Sequence, residues 1–110
     1  MAGNKYTQMT LKMLRKAGWT CAITEHWNPF AKIRQDLFGF IDILAMCDLG
    51  ETNLPAAMVA VQSTSGAHHA ARKNKILSSP LGRMWLKHSQ VWLISWTKKK
   101  NRWIPRVEIL

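Results

Sequence analysis

Acidic residues are scarce in this chain. Its 110 residues hold six Asp and Glu against sixteen Lys and Arg, a formal net charge of +10. Such a field disfavours basic partners and attracts polyanions, of which nucleic acid is the commonest. Cysteine is scarce too. Cys21 and Cys47 are too few and too far apart for a disulfide framework. Both are read as free, mostly buried thiols in a reducing, cytoplasmic setting. No local cluster of Cys and His offers a zinc site. The opening "MAGNKYTQMT" lacks an apolar core, so no signal peptide is expected. No apolar run approaches the roughly 20 residues of a membrane span. The basic residues are spread over several segments rather than one amphipathic helix, which argues against a membrane surface. Repeats and low-complexity segments are also missing.

What is present suits one domain spanning 1–110, with 47% hydrophobic residues to build a core. Tyr6, Met9, Met13, Leu14 and Ala17 recur at helical spacing, so residues 5–17 are expected to form a helix stopped by Gly18. Residues 19–27 alternate as a strand with Cys21, Ile23, Glu25 and Trp27 on one side. "NPFAKIRQ" reads as a loop, and Gly39 marks a turn or close approach. Strands are expected over 40–47 and 57–64, joined by the turn "DLGETNLP", in which Asp48 and Glu51 are solvated. A helix follows Ser65-Gly66, and Ser79-Pro80 resembles an N-cap with proline at the first helical position of another. Residues 90–97 read as a strand, "KKKN" as a polar turn, and "RWIPRVEI" as an edge strand, because Pro105 cannot donate to a ladder. The expected architecture is α/β, a mixed sheet flanked by helices in the order α-β-β-β-α-β-β, with a second short helix before the fourth strand.

"GFIDILA" poses the chemical question, because Asp42 interrupts a run that otherwise reads as buried strand. A buried carboxylate is costly unless paired. In a hairpin, Asp42 near the start of one strand lies close to Gln62 and Thr64 near the end of the next. Oxygen ligands converging beside a basic surface suit Mg²⁺ or another hard cation. Equally open is that Asp42 accepts backbone N–H bonds, or pairs with Arg34 or Arg72.

The hairpin resembles the core of the PD-(D/E)XK nuclease superfamily, especially archaeal Holliday-junction resolvases and small resolvase-like proteins of phage and bacterial genomes. The resemblance covers roughly residues 6–98 and rests on Asp42 in "GFIDILA", Gln62-Ser63-Thr64 in "VAVQST", and the order of elements. It implies a restriction-endonuclease-like fold and Mg²⁺- or Mn²⁺-dependent hydrolysis of DNA phosphodiesters, including branched or junction DNA. The host would be a bacterial or phage-infected cytoplasm. It further implies Asp42, Gln62 and the Ser63 carbonyl as metal ligands.

Two departures stand out. Gln62 is neutral where the family often has an acid, and Glu25 could restore the charge from the adjacent strand. Thr64 occupies the position of the family's lysine, and a hydroxyl cannot serve as a cation. Arg72, Lys73 and Lys75 on the next helix are the candidate replacements. Arg72 and Lys75 share a face with His68, and Lys75 is the preferred catalytic cation. Asp36 orients the second strand or supplies a carboxylate outside the metal's ligands. Arg34, Lys98, Lys99 and Lys100 are expected to contact phosphate. The adjacent His68 and His69 do not form a metal pair. The tryptophans belong mainly to the core, with Trp27 beside Asn28-Pro29 the candidate for exposure. A homodimer is expected, since so small a domain covers little of a junction. The alternatives are a DNA-binding protein on the same fold without catalysis, and a protein that modulates a nuclease or host factor.

Overall fold

The computed structural model describes residues 4–47 and 58–110; the expected turn over 48–55, with Asp48 and Glu51, lies outside them. The first helix, α1, spans Lys5–Lys16. Asn4 caps it, its Oδ1 accepting from the Thr7 N–H at 3.0 Å, which satisfies one of the orphan donors of the first turn. The buried face centres on Thr7, Thr10, Leu11 and Leu14. Tyr6, Met9 and Met13, expected at its centre, are partly buried at its margins. A threonine can occupy the centre because Thr10 Oγ1 accepts from Trp96 Nε1 at 2.9 Å. Gly18 ends the helix at φ +101°, a left-handed conformation that favours glycine.

The strands are β1 (Thr20–Ile23), β2 (His26–Asn28), β3 (Ile33–Gln35), β4 (Ile43–Met46), β5 (Met58–Ser65), β6 (Val91–Lys99) and β7 (Arg102–Ile109). Five of them form a mixed sheet in the order β1-β4-β5-β6-β7, parallel only between β5 and β6. The helices α2 (His69–Ser78) and α3 (Pro80–Leu86), entered through a 3₁₀ turn at Gly66–His68, form the crossover. Ser79 caps α3 with Pro80 in its first turn, as the sequence suggested. One sheet face packs Ile43, Val59, Val61 and Ile94 against Leu11 and Leu14 of α1. The other packs Phe40, Ile41, Ala60 and Val91 against Ile76 of α2. The protein is α/β, with a central mixed sheet flanked by helices. Among the described residues no helix is long and apolar enough to cross a membrane.

Two expectations for the 19–35 region are corrected. The single strand over 19–27 is broken, and "NPFAKIRQ" is not only loop. Thr24 binds the strand entering β4 through its N–H to the Asp42 carbonyl (2.8 Å) and its hydroxyl to the Ile41 carbonyl (2.7 Å). Beyond Thr24 the chain leaves the sheet and forms a separate antiparallel ribbon, with Trp27 opposite Arg34. The "KKKN" turn is tighter than expected. Lys100 and Asn101 have φ of 49° and 64°, as in the two-residue type I′ connection that matches strand twist.

Candidate active site

Asp42 stands immediately before β4, where the ladder to β5 begins. Its N–H donates to the Val61 carbonyl at 2.9 Å. This register brings the side chain to Gln62, as the hairpin reading expected, and to the backbone of Ser63, whereas Thr64, expected beside it, does not line the site. Asp42 Oδ2 accepts from the Ser63 N–H at 2.8 Å and from Gln62 Nε2 at 3.3 Å. The backbone partner weighed from the sequence is therefore present. Arg34 reaches a different acid: its Nη1 lies 3.9 Å from Glu25 Oε1. In extended backbone a residue's N–H and carbonyl project to the same strand edge, so the Ser63 carbonyl also faces the Asp42 side.

Asp36 is a more central member than the sequence indicated. Gln62 Nε2 donates to its Oδ2 at 3.3 Å as well. Asp36 is held by the turn that follows β3, where its carbonyl accepts from the Gly39 N–H at 3.0 Å. Phe38 and Gly39 both have positive φ, 55° and 83°. For a bulky residue such as Phe38 this conformation is unfavourable, so the surroundings must impose it. Glu25 enters from the segment between β1 and β2. One carboxylate oxygen from each of Glu25, Asp36 and Asp42 lies within 4.8 Å of the others.

Three acids this close cannot all remain charged in water-poor surroundings without a counter-charge. Burial pushes the Asp42 carboxyl up to about 9, with the Asp36 carboxyl bonded beside it and the Glu25 charge adding to the rise. Burial likewise raises Glu25, aided by Asp36 and opposed by Arg34. Three buried oxygens here, Glu25 Oε1, Gln62 Oε1 and Ser63 Oγ, have no hydrogen-bond partner. Buried polar atoms are seldom left so. A cation among the carboxylates would displace the Asp42 proton, and a half-turn of the Gln62 amide would offer it Oε1. The donor set is all oxygen, which suits Mg²⁺ or Mn²⁺ rather than a soft metal. Glu25, Asp36, Asp42, Gln62 and the Ser63 carbonyl therefore fit such an ion.

The acids form the floor of an open cleft of about 580 Å³ whose walls include Arg34, Arg72 and Lys75. The face of α2 chosen from the sequence for Arg72 and Lys75 is the one that meets the cleft. Lys73 is corrected. It points elsewhere, its Nζ donating to Glu108 Oε2 at 2.5 Å. Thr64 is buried and is not among the residues lining the cleft, so the strand position of the family's lysine contributes nothing to its wall. His69 is buried between Ser95 Oγ (2.7 Å) and Glu108 Oε1 (2.8 Å), and His68 bonds the Ser65 hydroxyl. Neither histidine belongs to a metal-ligating group among the described residues. Asn4 lines the cleft, and the adjacent Lys5 lies 5.0 Å from the Trp103 ring, which Lys98 also approaches at 5.9 Å. Lys99 and Lys100, at the β6–β7 turn, are exposed and do not line the cleft.

Asp36 left a trace in the sequence, as one of only six acids and three residues before a turn glycine. No protein-family model, curated protein or solved structure matches the chain.

Proposed function

We propose that this chain is a metal-dependent DNA endonuclease acting on branched or junction DNA. The observation that carries the proposal is the acid cluster of Glu25, Asp36 and Asp42, with orphaned oxygens beside it, under a wall of Arg34, Arg72 and Lys75. Acids alone would repel a phosphodiester, and bases alone would only bind it. Held by Glu25, Asp36, Asp42, Gln62 and the Ser63 carbonyl, a Mg²⁺ or Mn²⁺ ion would supply a water of lowered pKa and neutralise charge on the phosphate. Arg72 and Lys75 hold the phosphate and meet the negative charge that grows on its oxygens. Glu25, approached by Arg34 at 3.9 Å, would restore to the ligand set the charge that the neutral Gln62 lacks. Lys75 from α2 takes the part that Thr64 cannot. A homodimer would let two such clefts address two strands.

The experiment is incubation of the purified protein with four-way-junction, duplex and single-stranded DNA in Mg²⁺, Mn²⁺ or EDTA. Cutting that needs either metal supports the proposal. Cutting in EDTA overturns it. Salt-sensitive binding with no cutting in either metal supports the reading that Thr64 favours, a DNA-binding protein without catalysis. Binding as strong at high salt as at low would count against both, because neutralising several phosphates makes affinity fall steeply with salt.

A further inference from the structure

The β2–β3 ribbon carries apolar side chains that the fold does not use. Phe30, in its connecting loop, is 98% exposed, and Trp27 and Ile33 are at least half exposed. The loop is nonetheless built to one shape. Asn28 Oδ1 accepts from the N–H groups of Phe30 (3.0 Å) and Ala31 (3.1 Å), while Asn28 Nδ2 donates to Gln35 Oε1 (3.3 Å). Pro29 fixes its own φ, and Lys32 takes the left-handed conformation at φ 55°. A loop braced in this way presents its phenyl ring to solvent instead of folding it inward.

The ribbon's charge says what it faces. Residues 26–35 contain Lys32 and Arg34 and no acid. Arg34 lines the cleft and lies across the ribbon from Trp27, so the two share a face. A second copy of the chain would bring another +10 toward this surface, whereas a polyanion with flat apolar rings complements both its charge and its aromatics. Base-on-aromatic stacking beside a basic groove is how proteins hold unpaired strands.

We propose that the ribbon is a base-stacking finger: Phe30, supported by Trp27, takes an unstacked nucleobase of a strand whose phosphates run along Arg34, Arg72 and Lys75. This deepens the nuclease reading by assigning substrate choice to the ribbon, so that DNA with unpaired bases is preferred to continuous duplex.

The test is binding in EDTA, where no cutting intervenes. Affinities for gapped DNA and matched duplex are measured over a salt series for wild type, Phe30→Ala and Phe30→Trp, with sedimentation to follow association. Wild type should prefer gapped DNA. Phe30→Ala should weaken gapped-DNA binding about tenfold, leaving duplex affinity and the salt slope unchanged, and Phe30→Trp should keep the preference. Phe30 has almost no buried surface, so the melting temperature of Phe30→Ala should match wild type. No wild-type preference, an equal loss on both DNAs, or no effect of Phe30→Ala overturns the proposal. So does a change of oligomeric state in Phe30→Ala, which would make the ribbon a contact between copies. Loss of the gapped-DNA preference in Phe30→Ala when wild type cuts nothing in Mg²⁺ or Mn²⁺ would sustain the finger and sink the nuclease. Metal-dependent cutting unaffected in preference by Phe30→Ala would do the reverse.

Discussion

Asp42 and Glu108 are both carboxylates bound into side-chain networks, and they respond to their surroundings in opposite ways. Glu108, on β7, is met by Lys73 at 2.5 Å, His69 at 2.8 Å and Arg106 at 3.7 Å. The bonds from Lys73 and His69 hold its pKa down at about 2. Asp42 is met by an amide, a backbone N–H and two further acids, and rises to about 9. In a chain with sixteen Lys and Arg, leaving three clustered acids so short of positive charge is a departure from the local rule. The Glu108 cluster is complete within the polypeptide and pins the edge strand to α2. Among the described residues, the Asp42 cluster has only Arg34, 3.9 Å from Glu25, as a cation beside it, and burial keeps the Asp42 proton in place.

The sharpest way to break this contrast is to remove an acid from the cleft. Asp42→Asn and Asp36→Asn should each lower metal-dependent cutting by more than about 100-fold, since even residues that only support metal ligands are worth 10–100-fold. DNA affinity should stay near wild type. Cutting that survives both changes would mean the acids hold no catalytic cation. Unfolding by Asp42→Asn would instead make Asp42 a purely structural residue.

A smaller effect is expected at the cleft wall. Lys75→Ala should lower turnover by about 100-fold, the scale of losing one group that stabilises developing charge, and reduce DNA affinity much less. Equal losses in the two measurements would make Lys75 a phosphate contact only. Thr64→Lys, which would introduce the lysine of the superfamily the hairpin resembles, should not raise activity in a protein that already cuts, because position 64 is buried.

Acid and base should distinguish the clusters through stability. A carboxyl whose folded pKa lies above its unfolded value near 4 stabilises the fold fully below that pH and loses the contribution as pH climbs. In metal-free protein the melting temperature should therefore fall as pH rises from about 5 toward the Asp42 value of about 9. Mn²⁺ should reverse the fall. Asp42→Asn, neutral at every pH, should remove much of it, while Glu25, raised as well, keeps a remainder. A melting temperature that is flat over this range, with or without Mn²⁺, would contradict the strain assigned to the cluster. Glu108 has the opposite sign. Its contribution is full above its ordinary value near 4 and is lost as pH falls through about 2.

The smallest functional effect is reserved for Glu108→Gln. Melting should drop by a few degrees, with Mn²⁺ binding by calorimetry unchanged. A loss of metal affinity in Glu108→Gln would show that the two clusters are coupled.

The sequence carried part of this arrangement plainly. Asp42 and Gln62 could be paired because side chains two apart on a strand point to the same face, and a hairpin leaves few registers. Arg72 and Lys75 could be placed together by helical spacing. The role of Asp36 was hidden, because it depends on a turn containing Phe38 in a conformation that phenylalanine rarely adopts. The β2–β3 ribbon was hidden as well, since strands of three residues are too short to show alternation. The bond of Lys73 to Glu108 was hidden because the two lie 35 residues apart, and no local pattern reports such a pairing.

Pro105 has a consequence for assembly. Among the described residues the sheet ends at β1 on one side and β7 on the other. Pro105 stands within β7 opposite Trp96, offers no N–H, and has the cations of Arg102 and Arg106 nearby in the same strand. Such a strand is a poor template for an incoming one. At the far edge, β1 is only four residues long. Extension of the sheet from molecule to molecule is thus discouraged at both margins, which protects against fibrous association. Any twofold partner would have to be held by side chains packed across a face, not by a shared ladder.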